Sequence, residues 1–229
     1  MTTKAIVSYD GTPGDQDALV LGHVLAEAGA ELILTYVRHS TESEPDREQL
    51  QESEAQALLE RGAEWLDDPG VDRRVVVSGS TAEGLRQLAE AEEAGIVVFG
   101  SDYRTPAGHV APQNSARQLL EGGRAAVAIA PSNYRSIHRS ALRRIGLSAA
   151  AGDDGALETA RELAESLGAE VSRDEPLVDL LVVGSRPEAP SGQVMISAAA
   201  ERQIENATCP VLVVPRGLTV RFPVAYGVA

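Results

Sequence analysis

Any chemistry in this chain must come from a few polar residues at the ends of apolar runs. The run "AIVSY" (5–9) ends in Asp10-Gly11-Thr12, and "GIVVFG" (95–100) ends in Gly100-Ser101 and opens the loop "SDYRTPAGHVAPQNS" (101–115). A glycine that closes a buried strand and opens a loop leading into a helix suits a phosphate, because bare backbone N–H groups and the helix start favour an anion. Asp10 stands at the carboxyl end of the first strand, where open α/β sheets bind ligands; Asp-Gly is also an ordinary turn pair. The loop carries Asp102 and Tyr103 where a phosphate cradle needs bare backbone. Gly108 follows Pro106-Ala107 and reads either as part of a ligand-contacting loop or as a glycine that shapes a surface turn. Ser115 offers a hydroxyl at the start of a helix, or caps that helix through the box Ser115-Ala116-Arg117-Gln118.

Other chemistries find no pattern. His23, His39, His109 and His138 share no metal-ligand spacing with one another or with Cys209, the one cysteine. A single cysteine forms no intrachain disulfide and fits a reducing compartment, so a cytoplasmic location is expected. The chain has neither the G-x4-GK[ST] phosphate loop nor a G-x-S-x-G nucleophile elbow, and we assign no catalytic residue. The formal charge of −14 repels nucleic acid and anionic membrane. Residues 41–70 hold ten acids against two arginines and read as a solvated face. "MTTKAIVSYD" lacks a basic region followed by an apolar core, and no apolar stretch reaches the roughly 20 residues of a membrane helix.

Alternating strands and helices must position these residues. Hydrophobic residues make up 43% and aromatics 3%, so the core is built from Val, Leu, Ile and Ala. Strands are expected at 5–9, 31–37, 72–79, 95–100 and 125–131. Helices are expected at 14–30, with Thr12 as N-cap and Pro13 at the first helical position, at 52–68 with Ala55, Leu58, Leu59 and Trp65 inward, at 81–94, and at 115–123. The alternation predicts an α/β fold, an open parallel sheet with helices on both faces.

The chain then repeats. Gly100, Ser101, Pro106, Gly108 and Val110 recur as Gly184, Ser185, Pro190, Gly192 and Val194, all 84 positions later, and Pro131 recurs as Pro215. An earlier match, "LAE" at 25–27 and 163–165, is offset by 138, so the second copy lacks about 54 residues, a helix–strand–helix stretch. We divide the chain into a complete unit at 1–131, a basic linker at 132–143, a shortened unit at 144–217 and a tail at 218–229. The shortened unit is expected to keep strands near 144–148, 179–183 and 210–214, with 169–173 a short strand or a loop. The linker, with Arg135, His138, Arg139, Arg143 and Arg144, reads either as a contact to an acidic face or a phosphate or as a solvated segment drawn to the acidic body.

The doubled order "IVSYDGT", "GIVVFGS" and "AVAIAP", with "CPVLVVPRG" (209–217) at the close, resembles a tandem universal stress protein whose second copy is shortened. The resemblance covers nearly the whole chain. It implies a five-stranded parallel sheet in the order 3-2-1-4-5 in each complete unit, a cytoplasmic stress-response role and a usual dimeric state. Many such proteins bind ATP through Gly, two residues, Gly, nine residues, Gly and then Ser or Thr. Here Gly100 fills the first position, but Tyr103, Gln113 and Asn114 take the rest, with Ser115 one step beyond; the second copy has Gly184, Pro187, Ser197 and Ala198. Non-glycine residues forced to positive φ cost about 1–2 kcal/mol each. By the same resemblance Asp10 contacts the adenosine part and Val37 lines an adenine pocket. Two readings stand. In one, the chain is a binding or regulatory module without the usual ATP grip and is not an enzyme. In the other, the first copy binds an adenine nucleotide, ATP or AMP, through Asp10, Val37, Gly100, Ser101, Gly108, Asn114 and Ser115. The edge strands 125–131 and 210–214 would otherwise be exposed, so the two copies are expected to join there as a pseudo-dimer; a homodimer is the further partner the family implies.

Overall fold

The computed structural model describes residues 2–39, 45–137, 141–149, 154–172 and 178–223. The first half runs β1 (Lys4–Ser8), α1 (Pro13–Glu27), β2 (Glu31–His39), α2 (Pro45–Trp65), β3 (Asp72–Ser78), α3 (Thr81–Ala91), β4 (Ile96–Gly100), α4 (Asn114–Leu120) and β5 (Ala126–Ala130). A short helix, α5 (Tyr134–Ile137), leads to β6 (Arg144–Ser148), α6 (Asp154–Leu167), β7 (Glu170–Ser172), β8 (Leu180–Gly184), α7 (Ala198–Asn206) and β9 (Val211–Val214). The strands form one nine-stranded sheet, ordered β3-β2-β1-β4-β5-β9-β8-β6-β7. Every neighbouring pair is parallel except β5 and β9, which run antiparallel, so the sheet is mixed.

The β5–β9 seam follows the 84-residue repeat. Ala128 faces Leu212, its own equivalent, and the pairs Val127–Val213 and Ile129–Val211 flank it. Beyond the strands, Val110 N donates to Ala207 O (3.2 Å) and Val194 N to Gly123 O (2.8 Å), which are reciprocal bonds between equivalent positions. A local two-fold axis therefore runs through the Ala128–Leu212 pair.

Each face of the sheet carries its own core. Ala5, Val7, Leu34 and Val98 pack on α1 and α2, and Leu180, Val182 and Val214 continue that core under α6. Ile6, Ile33, Phe99 and Val127 pack on α3 and α4, and Val183 and Val213 under α7. The helix expected at 52–68 begins at Pro45. Leu59 and Ala63, with Leu66 just past its end, form the buried stripe, whereas Trp65, expected inward, is 42% exposed. At 100° per residue, Trp65 falls off the stripe that 59, 63 and 66 define.

The linker and the tail are more engaged than their composition suggests. Tyr134 and Leu142 are buried in the first core, and Val220 and Phe222 of the tail join them. Val220 N donates to Thr159 Oγ1 (2.9 Å), and the Thr3 hydroxyl donates to Arg221 O, so the tail straps α6 to the start of β1. The solvated reading of the linker therefore fails at Tyr134 and Leu142, which are buried, and at Arg135, which reaches an acidic side chain, Asp17, whereas Ser136, Ile137, Ala141 and Arg143 are exposed. His138 and Arg139 lie outside the described residues, as do the last six residues of the tail.

Candidate functional site

The ends of β1 and β4, neighbours in the sheet whose chains leave in opposite directions, frame a cleft of about 450 Å³. This is the switch point at which open α/β sheets hold ligands. Asp10, Asp15, Asp17 and Asp102 line it, with Ser101, Tyr103, Gln113, Asn133 and Arg135.

Asp15 closes the start of α1. Thr12 is the N-cap and Asp15 the third residue of the helix, and their side chains bond reciprocally as a capping box. Asp15 Oδ2 accepts from Thr12 N (2.9 Å), Thr12 Oγ1 (2.6 Å) and Asp10 N (3.2 Å). Burial pushes the Asp15 carboxyl up to about 7, helped by a side-chain hydrogen bond with Asp10 and by its charge, against the Thr12 bonds that favour the ionised form. The exposed Asp10 and the buried Asp15 thus form a carboxyl pair at the cleft mouth.

Asp17 is almost fully buried and faces inward onto backbone amides and a guanidinium. It accepts from Asn133 N (2.8 Å), Arg135 N (2.9 Å) and Arg135 Nη1 (2.9 Å). Arg135 Nη1 also donates to Pro13 O (2.8 Å). The cation and backbone amides on this side of the cleft are therefore occupied by the protein's own carboxylate.

The other predicted site residues divide as follows. Gly100 lies at the end of β4 against the first turn of α1, where a Cβ would stand 2.0 Å from Gly14 O; a packing contact requires the glycine there. Ser101 lines the cleft, but its hydroxyl donates to Ala130 O (2.7 Å) and accepts from Ala111 N (3.2 Å). Ser185 repeats both bonds, to Val214 O and from Met195 N, at the same distances. Gly108 has φ +82° at the third position of a turn closed by His109 N on Pro106 O, and its own N–H donates to Ser132 O (2.7 Å). Gly192 repeats this turn with φ +78°. The shared Ser and Gly pattern thus fastens each loop to the end of its last strand.

Val37 is not with Asp10. It is buried on the opposite side of the sheet, against Gly84 of α3. Asn114 is exposed at the first position of α4 and borders a neighbouring depression with Arg104 and His109. Ser115 does not cap α4: Gln113 is the N-cap, without a side-chain bond, and Ser115 lies inside the first turn. The Ser101–Pro112 bridge delivers the chain to the helix two residues earlier than the capping box suggests. Ser197, equivalent to Gln113, does cap α7, accepting from Ala200 N (3.1 Å). Tyr103 turns outward, 82% exposed, with the Arg104 guanidinium 5.0 Å from its ring centre.

Sequence reasoning missed Asp15, Asp17 and Arg135. The Thr12-x-x-Asp15 spacing carried a readable signal for the first. Asp17 and Arg135 meet across 118 residues, and no local pattern announces that contact.

Fold and cleft define an open α/β sheet protein with a ligand-type depression at its switch point. The universal stress protein family profile matches residues 1–131, and the chain belongs to that family. Residues 132–229 lie outside this match. A universal stress protein from Archaeoglobus fulgidus DSM 4304 superposes over 93% of this chain and 98% of its own, with a TM-score of 0.67 and 16% identity. A functionally unknown protein from Pseudomonas aeruginosa PAO1 covers 94% and 93% (TM-score 0.62, 14% identity). A putative universal stress protein from P. aeruginosa UCBPP-PA14 covers 93% and 93% (TM-score 0.59, 14% identity). At these identities the likeness is one of fold. No curated protein matches the sequence significantly. Among the described residues, no helix is long and apolar enough to cross a membrane, and no group of three or more His, Cys, Asp or Glu could hold a metal.

Proposed function

We propose that this universal stress protein acts by binding and regulation rather than turnover, as an internal pair of two copies, and without the triphosphate grip. The observation that carries this reading is the cleft's polarity. Four acidic side chains line it, of which the buried Asp15 resists ionisation, and Arg135 with the amides of Asn133 and Arg135 is engaged by Asp17. A like-charge pair at 4 Å opposes by about 4 kcal/mol at an effective dielectric near 20, so a nucleotide carrying about four negative charges meets repulsion that no free cation among the described lining residues offsets. Tyr103 and Gln113 replace the glycines that would bring backbone amides onto phosphate. Ser148, at the matching strand end of the second copy, bonds Gln203 (2.5 Å). A charge-poor adenine ligand near Asp10 is the competing reading.

Isothermal titration calorimetry of the full chain with magnesium-ATP and separately with AMP tests this. No saturable heat with ATP up to about 1 mM is expected. A micromolar dissociation constant for ATP would refute the reading, and one for AMP alone would favour the competing one. Gly100→Val is unsuitable as a control, because any Cβ there strikes the Gly14 carbonyl.

A further inference from the structure

A second cavity lies on the local two-fold axis, on the α4 and α7 side of the sheet. It encloses about 210 Å³ between the two halves. Leu120 comes from the first half, and Met195, Ile196 and Ile204 from the second; these four give it an apolar bed. Drug-sized and cofactor sites occupy about 300–1,000 Å³. The cavity is too small for a nucleotide and fits a short branched or aromatic group.

One polar group points to what else the ligand carries. Arg186 lines the cavity half-buried. Its Nε is buried without a hydrogen-bond partner, and its Nη2 reaches only the Met195 thioether at 3.7 Å. Among the described residues, no carboxylate forms an ion pair with it. A guanidinium presents planar, paired N–H donors that match a carboxylate, and one without an acceptor is costly to bury. Arg117, the other cation in the lining, is engaged: Nη1 lies 3.5 Å from Glu201 and Nε donates to Pro112 O (3.1 Å). Glu121 and Glu205 stand exposed at the rim, so a multiply charged anion is opposed while a single charge on Arg186 is not.

We propose that this axial cavity binds a small amphipathic monocarboxylate, its carboxylate on Arg186 and its apolar part on Leu120, Met195, Ile196 and Ile204. Such a ligand touches both halves, so its binding free energy adds to the stability of their pairing. The proposal does not rest on the acidic cleft and stands whether or not that cleft takes a nucleotide.

The test titrates the full chain, with isotope-labelled Leu, Ile and Met methyl groups, with sodium isocaproate to about 10 mM. Saturable shifts of the Leu120, Met195, Ile196 and Ile204 methyls are expected. Isohexanol and isohexylamine should bind about tenfold more weakly or worse, because each lacks the charge-assisted bond. Arg186→Gln should weaken isocaproate by about tenfold or more while methyl signals remote from the cavity stay in place. Absence of saturable shifts, equal affinity for the alcohol, or unchanged affinity in Arg186→Gln would each overturn the proposal. The alcohol comparison uses the unaltered protein and decides the matter even where the variant does not fold.

Discussion

Asp10→Asn should stabilise this protein, and only at neutral or alkaline pH. The reason is the carboxyl pair at the mouth of the cleft. Asp15 has an ordinary value of 3.8 and is pushed up to about 7 in the folded chain. The folded state therefore holds that proton more tightly than the unfolded state does. Below about pH 4 both states are protonated and the group is neutral to stability. As pH rises from about 4 to about 7 the folded state alone resists ionisation, and stability falls; above about 7 the loss is complete. The full gap corresponds to about 4 kcal/mol. Burial is the leading cause and remains in the variant, so removal of the Asp10 charge and its shared proton recovers the smaller part, about 1–2 kcal/mol. For a chain of this size that is a rise in Tm of about 2–8 °C. Thermal and urea unfolding of both proteins at pH 5, 6, 7 and 8 measures it, and the difference between them cancels the titration of other groups. A variant no more stable than the parent at pH 8, or equally favoured at pH 5 and pH 8, would show that Asp10 does not raise Asp15.

Asp17→Ala removes an acceptor of three hydrogen bonds and strands the Arg135 guanidinium, so it should cost about 3 kcal/mol in urea unfolding, several times the cost of an exposed carboxylate. Ser101→Ala and Ser185→Ala should each cost about 1–2 kcal/mol and by similar amounts, since the two hydroxyls make the same pair of buried bonds; a large inequality in denaturant midpoints would break the equivalence of the two loops. Phe222→Ala should cost about 3 kcal/mol and speed proteolysis of the tail, because its ring fills the core between α6 and the first half.

Much of the sheet was legible because its central strands carry apolar runs buried on both faces. "IVVFG", "AVAIA", "LLVVG" and "VLVV" are buried along their whole length, so their hydrophobicity had no competing explanation. The Thr12 cap was legible because its spacing is local. The candidate site was less so. Val37 was placed by its position at a strand end, but side-chain direction alternates along a strand, and residue 37 points to the α3 face with residues 33 and 35. Ser101 and Gly108 looked like ligand contacts because they are polar or flexible at a strand end. Their partners, Ala130 and Ser132, lie 24 to 29 residues away in a strand end that only the fold brings close. Arg135 sat in a segment whose composition suggested solvent, and its carboxylate partner lies in the first helix.

The axial cavity has a property that a pairing of identical copies could not give it. In a pairing between identical copies, each position on the axis meets itself. Position 117 would then bring Arg against Arg, and the seam would set Ala against Ala or Leu against Leu. Here Arg117 faces Glu201 and Ala128 faces Leu212, so these two contacts are complementary in charge and in volume, while Glu121 and Glu205 remain alike. The Arg117–Glu201 pair is exposed and long at 3.5 Å, so it contributes little stability; its effect is to remove a repulsion that a symmetric pair would carry. The same divergence placed Arg186 opposite to Asp102 in charge at equivalent positions, which leaves a single unpaired guanidinium beside the axis rather than two. A symmetric pair would offer two such anchors or none. The difference between equivalent residues on the two sides of the seam is what gives the proposed cavity a direction and a single anchor.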